Sequence, residues 1–333
     1  MSKPINPELA PLGSKTMALP SDELFDVDEF LCMLLGKRLS GYRDNKPAGL
    51  PPEYDIGQYL TIRIAVASVC HQFNWDLLNK RLPQILRSIP PADLAGFLAT
   101  ISAPQFEKWF PDLPEIARLR AKERARILRE VGQTLRDEFG GDSRAILERS
   151  NRTLLGSGGF YELMDKFPAF REDPLRKKTN VLTHDIVRLG IVSFRDMENI
   201  APAIDYHLIR IYLRTGRVYA KHRSVFDALV NADPMPRDRM VKLLREKVAL
   251  AVKLTAQFSR LSIPDVNYIE WQLGRRICVR ETAKCVTDTR VSDLDPDILT
   301  LFERSCPFIE NCRAVKESDL MQLKEPVFQK TFY

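Results

Sequence analysis

The chain has 333 residues, enough for one large domain or two smaller ones with a sizeable core. Hydrophobic residues make up 44% and charged residues 28%, which are values of globular proteins and argue against wholesale disorder. The net charge of +6 permits a polyanionic partner without requiring one. No apolar run approaches the roughly 20 residues that cross a bilayer. The N-terminus also lacks the order of a signal peptide, so we expect a cytoplasmic protein without a membrane partner.

The elements predicted in chain order are almost all helices. Residues 1–20 contain four prolines and are predicted to be a flexible leader. Ser21 is predicted to cap a helix over 21–38, and an apolar helix is predicted over 57–82 until Pro83 interrupts it. Further helical patterns cover 115–135 (stopped by Gly140-Gly141), 158–167, 174–190, 204–214, 222–231, 237–260, 265–279 and 296–304.

Strand-like alternation is scarce, so the pattern predicts an all-α protein with short connections. A two-lobed fold with the active site in the cleft between the lobes is what the family resemblance given below implies. The predicted parts are a leader (1–20), an N-terminal helix and connection packing on the C-terminal lobe (21–55), a central helical domain (56–215), a C-terminal helical lobe (216–316) and a tail (317–333).

Basic residues are concentrated in two stretches. Residues 210–247 contain ten Arg/Lys and four acids, and residues 118–152 contain ten Arg/Lys and six acids. Each stretch is either a solvated helix face or a surface that contacts phosphates, and the sequence leaves both open.

Four of the six cysteines lie close together near the C-terminus, in the array Cys278-x6-Cys285-x20-Cys306-x5-Cys312. Clustered cysteines in a reducing compartment indicate a metal or cluster site. Zinc sites with four cysteines usually use closely spaced CxxC pairs, so zinc is the weaker interpretation. The remaining two, Cys32 and Cys70, lie in apolar helical patterns and are predicted to be packing residues.

The array resembles the C-terminal loop of the endonuclease III and adenine DNA glycosylase family. That family binds a [4Fe–4S] cluster through Cys-x6-Cys-x2-Cys-x5-Cys, so the outer spacers match and the middle one is 20 residues instead of two. Within the long spacer, Asp295-Pro296 is predicted to begin a short helix. Neighbouring residues also match: Leu273-Gly274, Ile277-Cys278, Lys284-Cys285, Cys306-Pro307 and Asn311-Cys312.

A second motif, Ile204-Asp205-Tyr206-His207-Leu208-Ile209-Arg210, resembles the Val-Asp-x-His-x-x-Arg stretch of helix-hairpin-helix DNA glycosylases. The resemblance gives Asp205 the role of the essential carboxylate, and its place before a helix also predicts an N-cap. A fixed carboxylate stabilises the oxocarbenium character that develops when a base–sugar bond breaks. We expect His207 and Arg210 to orient Asp205 or complete its helix, near the substrate.

Residues 167–182 occupy the place of that family's hairpin, where bifunctional members carry a Schiff-base lysine. Lys178 and Lys177 compete for this role. The family's Gly-x-Gly phosphate-binding hairpin is missing here, which puts both the lyase step and the grip on duplex DNA in doubt. Gln72 resembles the glutamine that fills the gap left by a flipped base, and Tyr161 is a second candidate for base contact.

Another resemblance points to queuosine-salvage N-glycosidases, carried by Arg124 to Leu135, by Phe139-Gly140-Gly141, by Phe167 to Glu172 and by the Asp205-Tyr206 pair. Those enzymes lack the four cysteines. Both families cleave an N-glycosidic bond, so an N-glycosylase is expected, acting on DNA or, alternatively, on a modified nucleotide. A non-catalytic iron–sulfur protein that binds nucleic acid is the remaining alternative. We expect a monomer, associated with the nucleoid, or nuclear in a eukaryote.

Overall fold

The computed structural model describes residues 24–45, 48–111, 119–231, 238–286, 294–301 and 306–326. Its helical content is 62%, which confirms the expectation of a mostly helical protein. The predicted leader and the predicted cap Ser21 lie outside the described residues. Among the described residues, no helix combines the length and apolar character needed to cross a bilayer.

The α-helices of the described residues include several that the sequence patterns did not predict, among them Pro91–Ala99, Ala103–Lys108 and Arg144–Arg149. In chain order, the α-helices are α1 (Glu29–Leu39), α2 (Ile56–Val69), α3 (Trp75–Arg87), α4 (Pro91–Ala99), α5 (Ala103–Lys108), α6 (Ala121–Phe139), α7 (Arg144–Arg149), α8 (Phe160–Met164), α9 (Pro168–Arg171), α10 (Lys177–Arg188), α11 (Tyr206–Thr215), α12 (Arg223–Asn231), α13 (Asp238–Ser259), α14 (Ile263–Arg276), α15 (Pro296–Leu299), α16 (Arg313–Lys316) and α17 (Ser318–Met321).

The predicted helix over 21–38 is wrong at its start. Residues Phe25–Val27 form a short strand, β1, which pairs antiparallel with β2 (Val218–Ala220). The helix begins only at Glu29, and the Asp28 carboxylate accepts from Leu31 N at 2.9 Å. The strand depends on a partner almost 200 residues away, which a local pattern cannot reveal.

The predicted helix over 57–82 is divided into α2 and α3. Gln72 adopts the left-handed conformation (φ 48°) between them, and Asn74 caps α3 by accepting from Leu77 N at 3.1 Å. Pro83 lies inside α3 and does not end it, so this part of the prediction is also wrong. Nearly every residue of α2 is buried, whereas Gln72 and Asn74 in the break are exposed.

Two predicted helix boundaries are confirmed. Helix α6 ends at Gly140 in the left-handed conformation (φ 64°), where glycine has no steric penalty. Within the long cysteine spacer, the Asp295 carboxylate accepts from Asp297 N and Pro296 begins α15.

The described residues form two compact units: unit 1 contains those up to Asn45 and those from Ile204 onward, and unit 2 contains residues 48–203. In unit 1, α1 packs along α13 so closely that a Cβ on Gly36 would lie 2.8 Å from Thr255 O. Helix α11 packs on α13 and α14. In unit 2, α6 packs on α4, and a Cβ on Gly132 would lie 2.3 Å from Ala99 N.

Candidate functional site

Asp205 is the N-cap of α11 in unit 1. Its backbone is extended, and its Oδ1 accepts a hydrogen bond from Leu208 N at 3.0 Å, which confirms the predicted cap. The residue is 6% exposed, so its carboxylate is buried at the positive end of the helix dipole. Burial, and next the negative charge of Asp205, raise the pKa of Tyr206 to about 12. The proposed catalytic role of Asp205 stays a prediction.

The four clustered cysteines meet at one pocket in the same unit. Cys278, Cys285, Cys306 and Cys312 all line one small pocket. The remaining lining is mostly apolar and includes Ile211 of α11 together with Ile277, Phe308 and Ile309. All of these cysteines are free thiols. The 20-residue spacer therefore does not separate the two outer pairs.

The pocket favours the neutral state of three of its thiols, those of Cys285, Cys306 and Cys312. Burial and the neighbouring cysteines raise the pKa of Cys285 to about 11, and burial raises the pKa of Cys306 and Cys312 as well. A bound cation would reverse this preference, because thiolates are the form that ligates a metal. Within the described residues, no three His, Cys, Asp or Glu side chains are placed to hold a single metal ion.

Arg214 of α11 carries a buried positive charge to the pocket. It is 1% exposed and donates to the carbonyl oxygens of Leu323 (2.9 Å), Val279 (2.6 Å) and Arg280 (2.8 Å). Its Nη1 also lies 3.7 Å from Cys278 Sγ. The Cys312 thiol in turn contacts the Arg214 carbonyl oxygen at 3.7 Å.

Arg210, one turn earlier on α11, is 2% exposed and bonds the segment that leads to Cys278. It donates to Gly274 O at 2.7 Å and to Cys278 O at 2.6 Å, and it lies 3.0 Å from His207 Nδ1. Helix α14 approaches closely here, since a Cβ on Gly274 would lie 2.9 Å from His207 O. The structure therefore places Arg210 and His207 between Asp205 and the cysteines; their contact with a substrate stays a prediction.

Four arginines of the basic stretch 210–247 are buried in unit 1: Arg210, Arg214, Arg217 and Arg245. Arg217 is fully buried, forms an ion pair with Glu270 at 2.5 Å and lies 5.0 Å from the centre of the Phe308 ring. Arg245 donates to the carbonyl oxygen of Ile204, directly before Asp205, at 3.3 Å. These four side chains belong to the interior and not to a solvated basic surface. Sequence analysis missed the structural roles of Arg217 and Arg245, because charge alone does not reveal burial.

In unit 2, the two competing lysines lie in the first turn of α10. Lys178 is 1% exposed and its Nζ donates to Ser68 O at 2.7 Å, at the C-terminal end of α2. Burial lowers the pKa of Lys178 to about 8, so a fraction of the amine is neutral near physiological pH. Lys177 is 7% exposed, and its backbone N–H donates to Asp173 Oδ2 at 2.9 Å.

A buried histidine, His71, lies near Lys178 and was not singled out from the sequence. His71 Nε2 lies 2.8 Å from Glu123 Oε1, and its Nδ1 accepts no hydrogen bond among the described residues. The carboxylate favours the imidazolium, but burial and the surrounding cations, first Lys178 and Arg124, lower the pKa of His71 to about 2. The ring is therefore neutral, and Nε2–H donates to Glu123.

The predicted base contacts occupy different environments in unit 2. Gln72 is exposed, and its Oε1 accepts from Arg120 Nη1 at 3.4 Å. Both residues have left-handed backbone conformations, which cost energy in residues other than glycine. Tyr161 is 4% exposed and its hydroxyl accepts from Ala201 N at 3.2 Å. Substrate contact by either residue stays a prediction.

Asp173 fills the turn where the resembled family has its glycine hairpin. It is 2% exposed, and its two carboxylate oxygens accept from Leu175 N (3.0 Å) and Lys177 N (2.9 Å). The first amide of α10, that of Lys177, therefore bonds a carboxylate of this chain, as does the amide of Leu175 just before the helix. A phosphate would meet both that negative charge and amides already in use.

Comparison with known proteins gives no family: no family model matches the chain, and no curated protein matches it significantly.

Proposed function

We propose that this protein is an N-glycosylase that removes a damaged or modified base from DNA. The observation that carries the proposal is the meeting of the four clustered cysteines, despite their 20-residue middle spacer, at a pocket lined by α11, the helix that begins at Asp205. The resemblance noted above joins these same two features, a carboxylate at a helix start and a four-cysteine loop downstream.

The chemistry assigned to Asp205 follows from its setting. Breaking the base–sugar bond builds positive charge on the sugar, and a carboxylate held by Leu208 N can stabilise that charge without reorganising. The same carboxylate can take a proton from an attacking water molecule. Burial strengthens both effects, because the local dielectric is lower than that of water.

For the pocket we propose a [4Fe–4S] cluster bound by Cys278, Cys285, Cys306 and Cys312. A lone zinc ion needs sulfurs about 2.3 Å from one centre, whereas an iron–sulfur cluster spreads its four ligands around a larger core. The apolar walls and the buried guanidinium of Arg214 suit an anionic cluster with thiolate ligands. When bound, such a cluster supplies structural support or electron transfer.

A lyase step is assigned to Lys178 in preference to Lys177. A nucleophilic amine must be neutral, and burial lowers the pKa of Lys178 to about 8. If the amine attacks the sugar, borohydride should trap a covalent adduct between the wild-type protein and DNA. The Lys178→Gln variant should form no such adduct, and the Lys177→Gln variant should still form it. A protein that releases base without a trapped adduct is a simple hydrolase.

The proposal is tested by screening base release from damaged or modified duplexes with anaerobically purified protein, beside Asp205→Asn. This variant keeps the size and capping capacity of Asp205 and removes its charge. The expected result is release by the wild type and a loss of at least about a hundredfold in the variant. Undiminished release by Asp205→Asn contradicts the catalytic assignment, and release from no substrate favours a non-catalytic nucleic-acid-binding protein.

A second candidate is a hydrolase of a modified nucleoside or nucleotide of the queuosine type. The observation that favours it is Asp173, whose carboxylate accepts hydrogen bonds from the first amide of α10 and from Leu175 N just before that helix. A small substrate needs no grip on a polymer backbone. The two candidates differ in salt dependence, since duplex binding with many phosphate contacts weakens steeply as salt rises. No duplex binding at low salt, together with base release from free nucleosides, would select the second candidate.

A further inference from the structure

Residues Leu323–Glu325, here named the C-terminal strap, lie in the segment that the sequence analysis treated as a tail. Glu325 is 5% exposed, and its Oε1 lies 2.6 Å from Arg210 Nη1 and 3.0 Å from Arg280 Nη1. Arg280 also donates to the Glu325 carbonyl oxygen at 3.1 Å. One buried carboxylate therefore joins α11 to the residue two positions after Cys278.

A second arginine of α11 makes the same connection through the backbone. Arg214 donates to Leu323 O at 2.9 Å in the strap, and to Val279 O and Arg280 O after Cys278. Arg210 likewise bonds Cys278 O as well as Glu325. Both arginines thus contact the strap with one set of donors and the Cys278–Arg280 segment with another.

Two ion pairs near the cysteines differ in how far they are exposed to solvent. The side chain of Arg210 is 2% exposed, so its ion pair with Glu325 cannot be replaced by water. The nearby pair Arg313–Glu317, beside Cys312, has side chains 32% and 48% exposed and contributes little in solvent. Loss of the Glu325 carboxylate would leave the buried guanidinium of Arg210 without its anionic partner. Loss of the Glu317 carboxylate would leave the guanidinium of Arg313 in contact with solvent.

We propose that the C-terminal strap is a positioning element of the cysteine site, with Glu325 as its positioning residue. Through Arg210 and Arg280 it holds the Cys278–Arg280 segment against the helix that begins at Asp205. The strap thereby couples the placement of a cysteine ligand to the placement of the proposed catalytic carboxylate. This inference rests on the proposed function in taking Cys278 as a ligand and Asp205 as the catalytic carboxylate.

The test is hydrogen–deuterium exchange of the full chain, as purified, for the wild type, Glu325→Gln and the matched control Glu317→Gln. Amides of α11 and of residues 278–280 should exchange about tenfold faster or more in Glu325→Gln, and at the wild-type rate in the control. Arg280→Gln should produce a smaller increase, because the ion pair between Arg210 and Glu325 remains. Adding it to Glu325→Gln should change little further, because the pair between Arg280 and Glu325 is then already lost.

A second readout is the rate at which iron is lost to a chelator, followed by the visible absorbance of the protein. It should rise severalfold in Glu325→Gln and not in Glu317→Gln. If amide exchange in Glu325→Gln equals that of the wild type, the proposed role of the strap is wrong, whatever the iron content of the protein. If the wild type carries no iron, the proposal of a cluster is wrong, and the exchange experiment still tests the proposed role of the strap independently.

Discussion

The guanidinium of Arg214 lies 3.7 Å from the sulfur of Cys278, and within the described residues it forms no ion pair with a carboxylate. Its hydrogen-bond acceptors are backbone carbonyl oxygens, which carry only partial charge. A fully buried cation without an anion is costly. Thiolate ligands in the cysteine pocket would supply the missing negative charge. A bound cluster would therefore account for the buried guanidinium of Arg214, and the guanidinium would stabilise the cluster's thiolates.

Replacing Arg214 should therefore weaken the cluster. We expect Arg214→Gln to bind less iron and sulfide per chain and to lose its visible absorbance faster in air, while Arg214→Lys retains more because it keeps the charge. Arg223→Gln is the control, since that side chain is 52% exposed and lies in an ion pair of the surface. Iron analysis after anaerobic purification measures the effect. Equal iron content in Arg214→Gln and the wild type would contradict the claim that the charge of Arg214 stabilises the cluster.

The capping role of Asp205 can be separated from its catalytic role. Asp205→Ala should lower the free energy of unfolding by about 1 kcal/mol, because Leu208 N loses its acceptor, while Asp205→Asn should change it by only a few tenths. Both variants should lose base release alike, since both lose the charge. Denaturant unfolding beside an activity assay tests this. Retained activity in Asp205→Asn together with lost stability in Asp205→Ala would leave Asp205 a cap only.

The helices were predictable where a local signal marks their ends. Gly140, Asp205 and Asp295 end or begin helices as their residue types require. Strand β1 was not predictable, because its partner lies in residues 218–220. The division between α2 and α3 was not predictable either, because apolar residues recur at helical spacing across it.

The candidate site was predictable in its residue types and not in its contacts. The spacing of the four cysteines indicated a common site, and the structure brings them to one pocket. Charge counts could not separate the buried Arg210 and Arg214 from surface residues, because a guanidinium is buried only when carbonyl oxygens and carboxylates from distant segments surround it. Glu325 was missed for the same reason.

Lys178 should impose a pH dependence on stability in the alkaline range. Its folded-state pKa of about 8 lies below the ordinary value of 10.5, so the unfolded chain binds more protons between these limits. Stability contributed by this group therefore rises with pH from about 8 to 10.5, by up to about 3 kcal/mol. Lys178→Met should lack this rise, while Lys177→Met should keep it. The free energy of unfolding is measured by urea unfolding at each pH. If it depends on pH in the same way for the wild type and Lys178→Met, the lowered pKa of Lys178 is wrong.

His71 should make the protein sensitive to acid. Burial and the nearby cations lower its folded-state pKa to about 2, whereas the unfolded chain takes up the proton near 6.5. The stability that neutral His71 contributes is fully present above pH 6.5 and is lost as the pH falls from 6.5 toward 2. By pH 4 the loss amounts to about 3 kcal/mol. His71→Gln keeps an N–H donor for Glu123 and cannot titrate, so its stability should fall less between pH 7 and 4 than that of the wild type. Chemical unfolding at several pH values measures the difference, and an NMR titration of the His71 ring that shows protonation near pH 6 would refute it.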